Sequence, residues 1–213
     1  MFTGIIKQLG IIKDINQKVN SLKIGVELNL KGEDVSIGDS LSINGVCLTV
    51  VKIIKNVVYF EVIDETLKKS NLSFLKIGDR VNVEFSLKAS DRISGHFVTG
   101  HIDCLGKIED KIKEGQATYF KISFPKEFKR LISPKASVAV NGISLTIVEA
   151  MDDYFSFYAI GHTMENTNLK LLNIGDPVNI EFDILAKYIN KSSHLNKVSS
   201  SITKEYLKEK GFI

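Results

Sequence analysis

The sequence predicts an all-β protein made of two tandem barrels, followed by a helical C-terminal tail. Three observations predict this fold: the chain contains an internal repeat, each repeat is a series of short β-rich segments, and the residue pattern changes after residue 186. The 213 residues are 44% hydrophobic and 25% charged, so the chain has enough apolar side chains for an ordinary globular core.

The internal repeat is the strongest of these observations. A shift of about ninety-seven residues, which is the scale of one small domain, superposes the two halves of the chain. Residues 1–6 then lie over residues 97–102, and residues 75–85 lie over residues 172–182 in one unbroken register. A match of this length is not expected by chance, so the two halves are predicted to share one fold.

Each repeat contains an Asn-Gly turn that runs directly into a strand. The motif is Asn-Gly-Val-Cys-Leu-Thr-Val at residues 44–50 and Asn-Gly-Ile-Ser-Leu-Thr-Ile at residues 141–147. Asn and Gly tolerate the positive φ that tight turns require, and the residues that follow are apolar and β-branched. Because Cys47 in the first copy is replaced by Ser144 in the second, the motif predicts two related pockets with different tasks.

The remaining strands are predicted from shorter patterns. Residues 57–63 and 154–160 are rich in β-forming residues, and residues 81–85 and 178–182 alternate apolar with polar side chains. Such alternation indicates a half-buried strand. About six strands in fewer than a hundred residues favour a small closed barrel, because closure leaves no strand edge exposed.

The helical elements are few and are predicted mainly in the tail. Short helices are expected near residues 65–71 and 126–131, and the polar residues 89–96 are interpreted as a linker. Apolar residues of the tail stand three and four positions apart, which predicts a narrow stripe on a helix over residues 188–207: Ile189, Leu195, Val198, Ile202 and Tyr206. The stripe fits packing on the chain's own barrel or self-association with neighbouring subunits, and the sequence leaves both open.

Composition argues against several classes of protein. The sequence has no apolar run long enough to span a bilayer and no signal peptide at its start, so a cytoplasmic protein without a membrane partner is expected. Cys47 and Cys104 are too few for a disulfide scaffold and lack the spacing of a zinc site. The lysines behind the net charge of +3 are dispersed, which does not fit a nucleic-acid-binding groove.

Four motifs, in this order, resemble the riboflavin synthases of the alpha-chain type, a family of lumazine-binding repeat proteins. They are Met-Phe-Thr-Gly-Ile at residues 1–5, the first Asn-Gly motif at residues 44–50, Gly-His-Phe-Val-Thr-Gly-His-Ile-Asp at residues 95–103, and the second Asn-Gly motif. The resemblance covers essentially the whole chain. It implies two homologous six-stranded antiparallel Greek-key barrels at residues 1–96 and 97–187, with a C-terminal α-helix in a trimerisation tail at residues 188–213.

The resemblance also implies an enzyme that dismutates two molecules of 6,7-dimethyl-8-ribityllumazine. One molecule gives a four-carbon unit to the other, which yields riboflavin and 5-amino-6-(D-ribitylamino)uracil without a metal or an added cofactor. The implied assembly is a homotrimer, with lumazine synthase as a protein with which it can associate. The alternative is a non-catalytic lumazine- or flavin-binding protein of the same fold. The enzyme is favoured because five polar site positions are filled: His101, Lys135, Ser144, Thr146 and Asp183.

Within this resemblance, each repeat is expected to supply one substrate pocket. The expected N-terminal pocket consists of Gly4, Ile5, Ile6, Cys47, Leu48, Thr49, Glu61, Val62, Ile63, Asp64, Glu65 and Thr66. The expected C-terminal pocket consists of Gly100, His101, Ile102, Ser144, Leu145, Thr146, Tyr158, Ala159, Ile160, Gly161, His162 and Thr163. Ser40 and Lys135 match further polar positions near the substrate. Main-chain groups suit the imide edge of a pteridine, and hydroxyls suit a ribityl chain.

Catalytic roles follow from the same resemblance. His101, or a water that it orients, is expected to take a proton from the acidic methyl group of one lumazine. Ser144 and Thr146 are expected to orient the substrate or relay protons, while Cys47 and Asp183 stabilise the added nucleophile. The complete site is expected to combine an N-terminal barrel with the C-terminal barrel of an adjacent subunit.

Most candidates also have an ordinary structural interpretation. The threonines fit plain strand propensity, and a free cysteine is usually a small buried hydrophobe. Asp183 can be an exposed strand-end carboxylate, and Lys135 can be a turn lysine. His96 and His194 are interpreted as surface or linker histidines.

Overall fold

The first repeat forms a closed barrel in a computed structural model that describes residues 1–195 and 204–212. The strands pair antiparallel in the order β1-β2-β5-β4-β3-β6, and β6 returns to pair with β1. The helix α1 (Asp64–Lys69) and a 3-10 turn (Asn71–Phe74) connect β5 to β6. The strands are β1 (Gln8–Lys18), β2 (Ser21–Glu27), β3 (Ser40–Ile43), β4 (Val46–Ile54), β5 (Val57–Ile63) and β6 (Arg80–Phe85).

The second repeat has the same strand order but a different closure. Its strands follow the order β10-β9-β12-β7-β8-β11, and β10 ends early, at Thr146. Val148 N donates to Ser156 O (2.8 Å) and Ser156 N donates to Glu149 O (3.0 Å), so irregular main-chain bonds span the gap between β10 and β11. The strands are β7 (Cys104–Glu114), β8 (Ala117–Ser123), β9 (Ser137–Val140), β10 (Ile143–Thr146), β11 (Tyr154–Ile160) and β12 (Pro177–Phe182).

The helices lie largely where the sequence predicts them. In the second repeat, α2 (Gly161–Asn166) follows β11, and 3-10 turns form at Lys126–Leu131 and Asn168–Lys170. In the tail, α3 (Ile184–Leu195) begins before the predicted start at residue 188, and α4 (Lys204–Glu209) follows. Of the predicted apolar stripe, Val198 and Ile202 lie outside the described residues. Among the described helices, none combines the length and apolar character of a membrane-spanning segment.

Each repeat encloses its own apolar core. The inward residues of β5 alternate with outward ones, so Val58, Phe60 and Val62 fill the first barrel. The second core is more aromatic, with the rings of Phe120 and Phe157 stacked 5.2 Å apart. Because each repeat has its own core, each sequence repeat corresponds to one barrel of the structure.

The predicted half-buried character of β6 and β12 is wrong, because both faces of these strands are buried. Four polar residues of these strands are at most 2% exposed, although the alternation predicts them on the surface: Asn82 and Glu84 on β6, and Asn179 and Glu181 on β12. Their polar faces lie against the other repeat and the segments that precede each barrel. A single strand's pattern cannot report this second contact.

Buried asparagines join the two repeats. Asn82 Nδ2 donates to Asn168 Oδ1 (2.9 Å), and in the matching bond Asn179 Nδ2 donates to Asn71 Oδ1 (2.9 Å). The Asn-Gly turns lie in this interface and have the positive φ that the sequence predicts. The buried asparagines of the interface are Asn44, Asn71, Asn82, Asn141, Asn168 and Asn179.

Candidate functional site

Two short segments, which we call the first arm (residues 2–6) and the second arm (residues 97–102), precede the barrels. The arms lie side by side and antiparallel. Phe2 N donates to Val98 O (2.7 Å), and Val98 N donates to Phe2 O (3.1 Å). Both side chains are buried together with Ala139, so the pair of arms forms a small apolar cluster of its own.

A buried glutamate anchors each arm to the last strand of its own repeat. Thr3 N and Gly4 N donate to the Glu84 carboxylate at 2.7 and 3.0 Å. In the second repeat, Thr99 N and Gly100 N donate to Glu181 at 2.7 and 2.9 Å. Burial raises the pKa of the Glu84 carboxyl, and the bonds from Thr3 and Gly4 act in the opposite direction. These bonds fix the middle of each arm to its own repeat.

The main-chain oxygen of the same glycine in each arm, however, accepts a bond from the other repeat. Ser144 N donates to Gly4 O (2.8 Å), and Cys47 N donates to Gly100 O (2.9 Å). Both glycines have positive φ, and a Cβ on Gly4 would lie 2.6 Å from the Ser144 Cβ. A Cβ on Gly100 would likewise lie 2.5 Å from the Cys47 Cβ. The glycines therefore permit both the turn and the close approach.

This exchange of arms overturns the predicted composition of the two pockets. Gly4, Ile5 and Ile6 were expected beside Cys47, but their arm lies on Ser144, and Ile6 packs on the second core. Conversely, Gly100, His101 and Ile102 were expected beside Ser144, but they lie at Cys47. The sequence repeat shows which residues of the two copies are equivalent. It does not show which copy supplies the arm that lies beside Cys47 or beside Ser144.

The first of the resulting sites, which we call the Cys47 site, is a cavity of about 200 Å³. It brings together a thiol, an imidazole from His101 and a hydroxyl from Thr66. Glu65 and Lys69 form a 2.9 Å ion pair on α1 at this site. The lining residues are Val46, Cys47, Glu65, Thr66, Lys69, Gly100, His101 and Ile102.

The second site, which we call the Ser144 site, is built around a serine and a histidine. His96 Nδ1 lies 2.7 Å from Ser144 Oγ. The interpretation of His96 as a surface or linker residue is wrong, because its side chain is only 9% exposed. Burial lowers the pKa of His96, and the charge of Asp183 acts in the opposite direction. The signal that sequence reasoning missed is Gly95, which allows the chain to pass closely over Ser144.

Several predicted site residues lie on strands beside these two sites. Ser40 pairs with Thr49 across β3 and β4, and Thr146 occupies the corresponding place on β10. Four of the other predicted residues have side chains buried in the cores, so only their main chain can meet a ligand: Leu48, Val62, Leu145 and Ala159. By contrast, Ile63 and Ile160 are 60% and 61% exposed and offer apolar surface.

Other predicted residues carry structural contacts. Asp183 caps α3, because Leu185 N donates to its Oδ1 (2.9 Å). Lys135 has a positive φ of 71°, and it stands where the first repeat has Gly38. Glu61 accepts from Lys18 Nζ (3.1 Å), and Tyr158 donates its hydroxyl hydrogen to Glu114 (2.9 Å).

At α2, the Asn166 amide donates to the main-chain oxygen of His162 (2.8 Å). Gly161 begins this helix, Thr163 lies half-buried within it, and Asp64 begins the matching helix α1.

The second cysteine has a different character from Cys47. Cys104 is buried at the start of β7, and burial raises the pKa of its thiol to about 12. It is therefore protonated at neutral pH and cannot act as a thiolate. Within the described residues, no three His, Cys, Asp or Glu side chains are grouped as ligands for a metal ion.

Comparison with known proteins identifies relatives along the whole chain. A family model described as "Lumazine binding domain" matches residues 3–86 and again residues 99–183. The riboflavin synthase of Actinobacillus pleuropneumoniae is 36% identical over 215 residues, and that of Bacillus subtilis (strain 168) is 35% identical over 215 residues. Both alignments cover 100% of each chain. The solved structure of LumP complexed with 6,7-dimethyl-8-(1'-D-ribityl) lumazine has a TM-score of 0.78 and 30% identity, and the match covers 85% of this chain and 99% of that chain.

Proposed function

We propose that this chain, which belongs to the lumazine binding domain family, is an enzyme that dismutates 6,7-dimethyl-8-ribityllumazine to riboflavin and 5-amino-6-(D-ribitylamino)uracil. The observation that carries this proposal is the pair of related but unequal sites. One presents Cys47, Thr66 and His101, and the other presents Ser144 with His96. Riboflavin synthases that align with the chain from end to end support the same reaction.

Two unequal sites suit a reaction between two copies of one substrate. One lumazine must give four carbons and the other must receive them, so equivalent strands can bind both while different side chains assign the roles. Holding two reactants face to face can remove on the order of 10 kcal/mol from a barrier in favourable systems. The structure supports this division, because the residues that differ between the repeats, Cys47 and Ser144, each contact an arm.

The exchange of arms changes which groups act on the same substrate molecule. His101, the proposed general base, shares a cavity with Cys47, so the imidazole and the thiol serve the lumazine bound there. Ser144, Thr146 and Asp183 remain as the proposed groups for the other lumazine. The proton leaves a methyl group of one substrate, and the resulting carbanion adds to the other substrate.

We propose that the complete site forms between subunits of a homotrimer. The Cys47 cavity, at about 200 Å³, is below the 300–1,000 Å³ typical of small-molecule sites, so a facing surface is needed to enclose a ligand. Exposed apolar residues on α3 support self-association: Leu185, Tyr188 and Ile189 are 58%, 67% and 69% exposed. The division into barrels at residues 1–96 and 97–187 with a trimerisation tail at 188–213 is part of this proposal, and association with lumazine synthase stays a prediction from the resemblance.

The direct test is to incubate the purified protein with the lumazine as the only substrate. Equal amounts of riboflavin and the pyrimidine product are expected, measured by fluorescence and chromatography. A non-catalytic binding protein of the same fold would instead hold the lumazine without consuming it. Binding without product would therefore overturn the proposed reaction.

Complementation tests the shared site. One inactive variant carries Cys47→Ala and His101→Ala, and the other carries Ser144→Ala and Asp183→Ala, so each loses one site. Recovered activity after mixing, with subunit mixing shown by mass spectrometry, is expected if facing sites come from different chains. No recovery despite mixing would mean that each chain builds its site alone.

A further inference from the structure

We propose that His96 is a positioning residue of the Ser144 site: it holds the Ser144 hydroxyl in place, so the two sites use different histidines, His96 at Ser144 and His101 at Cys47. This inference rests on the proposed function. It assigns His96 a task that the sequence pattern of a polar linker did not indicate.

The contact between the two side chains is short and sheltered. His96 Nδ1 and Ser144 Oγ are 2.7 Å apart, within the range of a good hydrogen bond. His96 is 9% exposed, and within the described residues its Nε2 is buried without a hydrogen-bond partner. An unpaired buried group of this kind is costly and calls for an explanation. A polar group of a bound ligand, or a water carried with it, would satisfy Nε2.

The main chain holds His96 against the first arm. Its N–H donates to Thr3 O (3.1 Å), directly before the bonds that join the two arms. Gly95 makes this path sterically possible, because a Cβ there would lie 2.1 Å from Thr3 O and 2.9 Å from the Ser144 Cβ. The histidine is thus held by the exchanged arms rather than by a free linker.

The chemistry follows from the neutral imidazole. With its hydrogen on Nε2, the ring accepts the Ser144 hydroxyl hydrogen at Nδ1, which leaves the lone pairs of Oγ free to face the substrate. In the Cys47 site, the imidazole of His101 instead extends from an exposed position on the second arm. One histidine therefore orients a serine, while the other is available to contact a ligand directly.

The test compares His96→Ala, His96→Asn and His96→Gln in the purified full-length protein. His96→Ala is expected to lower kcat by about tenfold or more with little change in KM, because the substrate still binds while the serine loses its orientation. Asn places an oxygen near the position of Nδ1 and should restore much of kcat, whereas Gln reaches toward Nε2 and should not. The matched control is Ser94→Ala at an exposed linker position, which is expected to retain kcat.

A double-mutant cycle separates positioning from a general effect on folding. If His96 acts through Ser144, His96→Ala should cause no further loss of kcat when Ser144→Ala is already present. Additive losses of kcat in the double variant would overturn the inference about His96, and so would an unchanged kcat in a folded His96→Ala protein. Both outcomes would leave the proposed function standing. A wild-type protein that forms no riboflavin would overturn the proposed function, and this inference with it.

Discussion

Gly45 and Gly142 lie back to back in the interface between the repeats, so that a Cβ on Gly45 would lie 2.6 Å from Gly142 N. The reverse substitution is equally close, with a Cβ on Gly142 lying 2.8 Å from the Gly45 Cα. The repeats therefore touch through main chain at this point, and the surrounding asparagines can bond across the interface. The turn geometry that the sequence predicts for these glycines is therefore one of their two roles, and this close contact is the other.

The first prediction separates these two roles. Gly45→Ala should lower the free energy of unfolding by about 3 kcal/mol, because the new methyl group forces the repeats apart. Gly32→Ala is the matched control: its φ of 83° is close to the 82° of Gly45, but a Cβ there meets open space. Left-handed strain alone should cost about 1 kcal/mol. Equal losses in urea unfolding would show that the contact between the repeats does not matter.

The second prediction concerns the asparagine interface. Asn82 donates to Asn141 O (3.0 Å) and to Asn168 Oδ1 (2.9 Å), and its Oδ1 accepts from Asn168 N (2.7 Å). Asn82→Ala should lower the free energy of unfolding by about 3 kcal/mol, because buried partners lose their bonds. Asn56→Ala removes an exposed bond to Glu27 and should change it by less than about 0.5 kcal/mol. If urea unfolding gives similar losses of free energy for Asn82→Ala and Asn56→Ala, the buried asparagines do not have a central role in stability.

The third prediction addresses assembly. Deleting residues 188–213 should give monomers in sedimentation, and so should Leu185→Glu combined with Ile189→Glu, because charges on exposed apolar positions oppose helix contacts. Lys191→Glu, at an exposed position of the same helix, is the control for a change in charge. A trimer that survives the deletion would show that the tail is not the element of assembly.

The fourth prediction is a pH dependence of stability. Burial holds the pKa of His96 below its ordinary value near 6.5, so the folded state binds this proton less readily than the unfolded state. The stability that the neutral ring contributes is complete above that ordinary value and is lost as the pH falls toward the folded-state pKa. Between about pH 7.5 and about pH 5.5, the thermal midpoint of His96→Gln should therefore fall less than that of the wild type. Parallel pH profiles would contradict this prediction.

The fifth prediction concerns the isolated first repeat. A fragment of residues 1–96 contains all six strands of the first barrel, but it lacks the second arm that lines the Cys47 site. A fragment of residues 1–103 includes that arm and should bind about tenfold more tightly in calorimetric titration, an advantage of about 1.4 kcal/mol. Equal affinities for two folded fragments would mean that the arm adds nothing to binding.

Local patterns predicted most of the fold. The β-rich segment 57–63 became β5, and the Asn-Gly turns adopted their expected φ, since strand and turn preferences depend on near neighbours. Contacts between repeats were not predictable in this way. Glu84 alternates like a surface residue and yet anchors an arm, while His96 stands in a polar linker and yet is buried. Both depend on residues that are distant in sequence.

The exchanged arms also determine how this protein can be recombined with a relative. The Ser144 site needs Gly4 from the start of the chain, so every single crossover within residues 7–143 assembles that site from two parents. The Cys47 site stays with one parent only when the crossover falls outside residues 46–102. One repeat therefore cannot be exchanged by itself for that of a relative. A working chimera requires each arm to come from the same parent as the barrel that it covers.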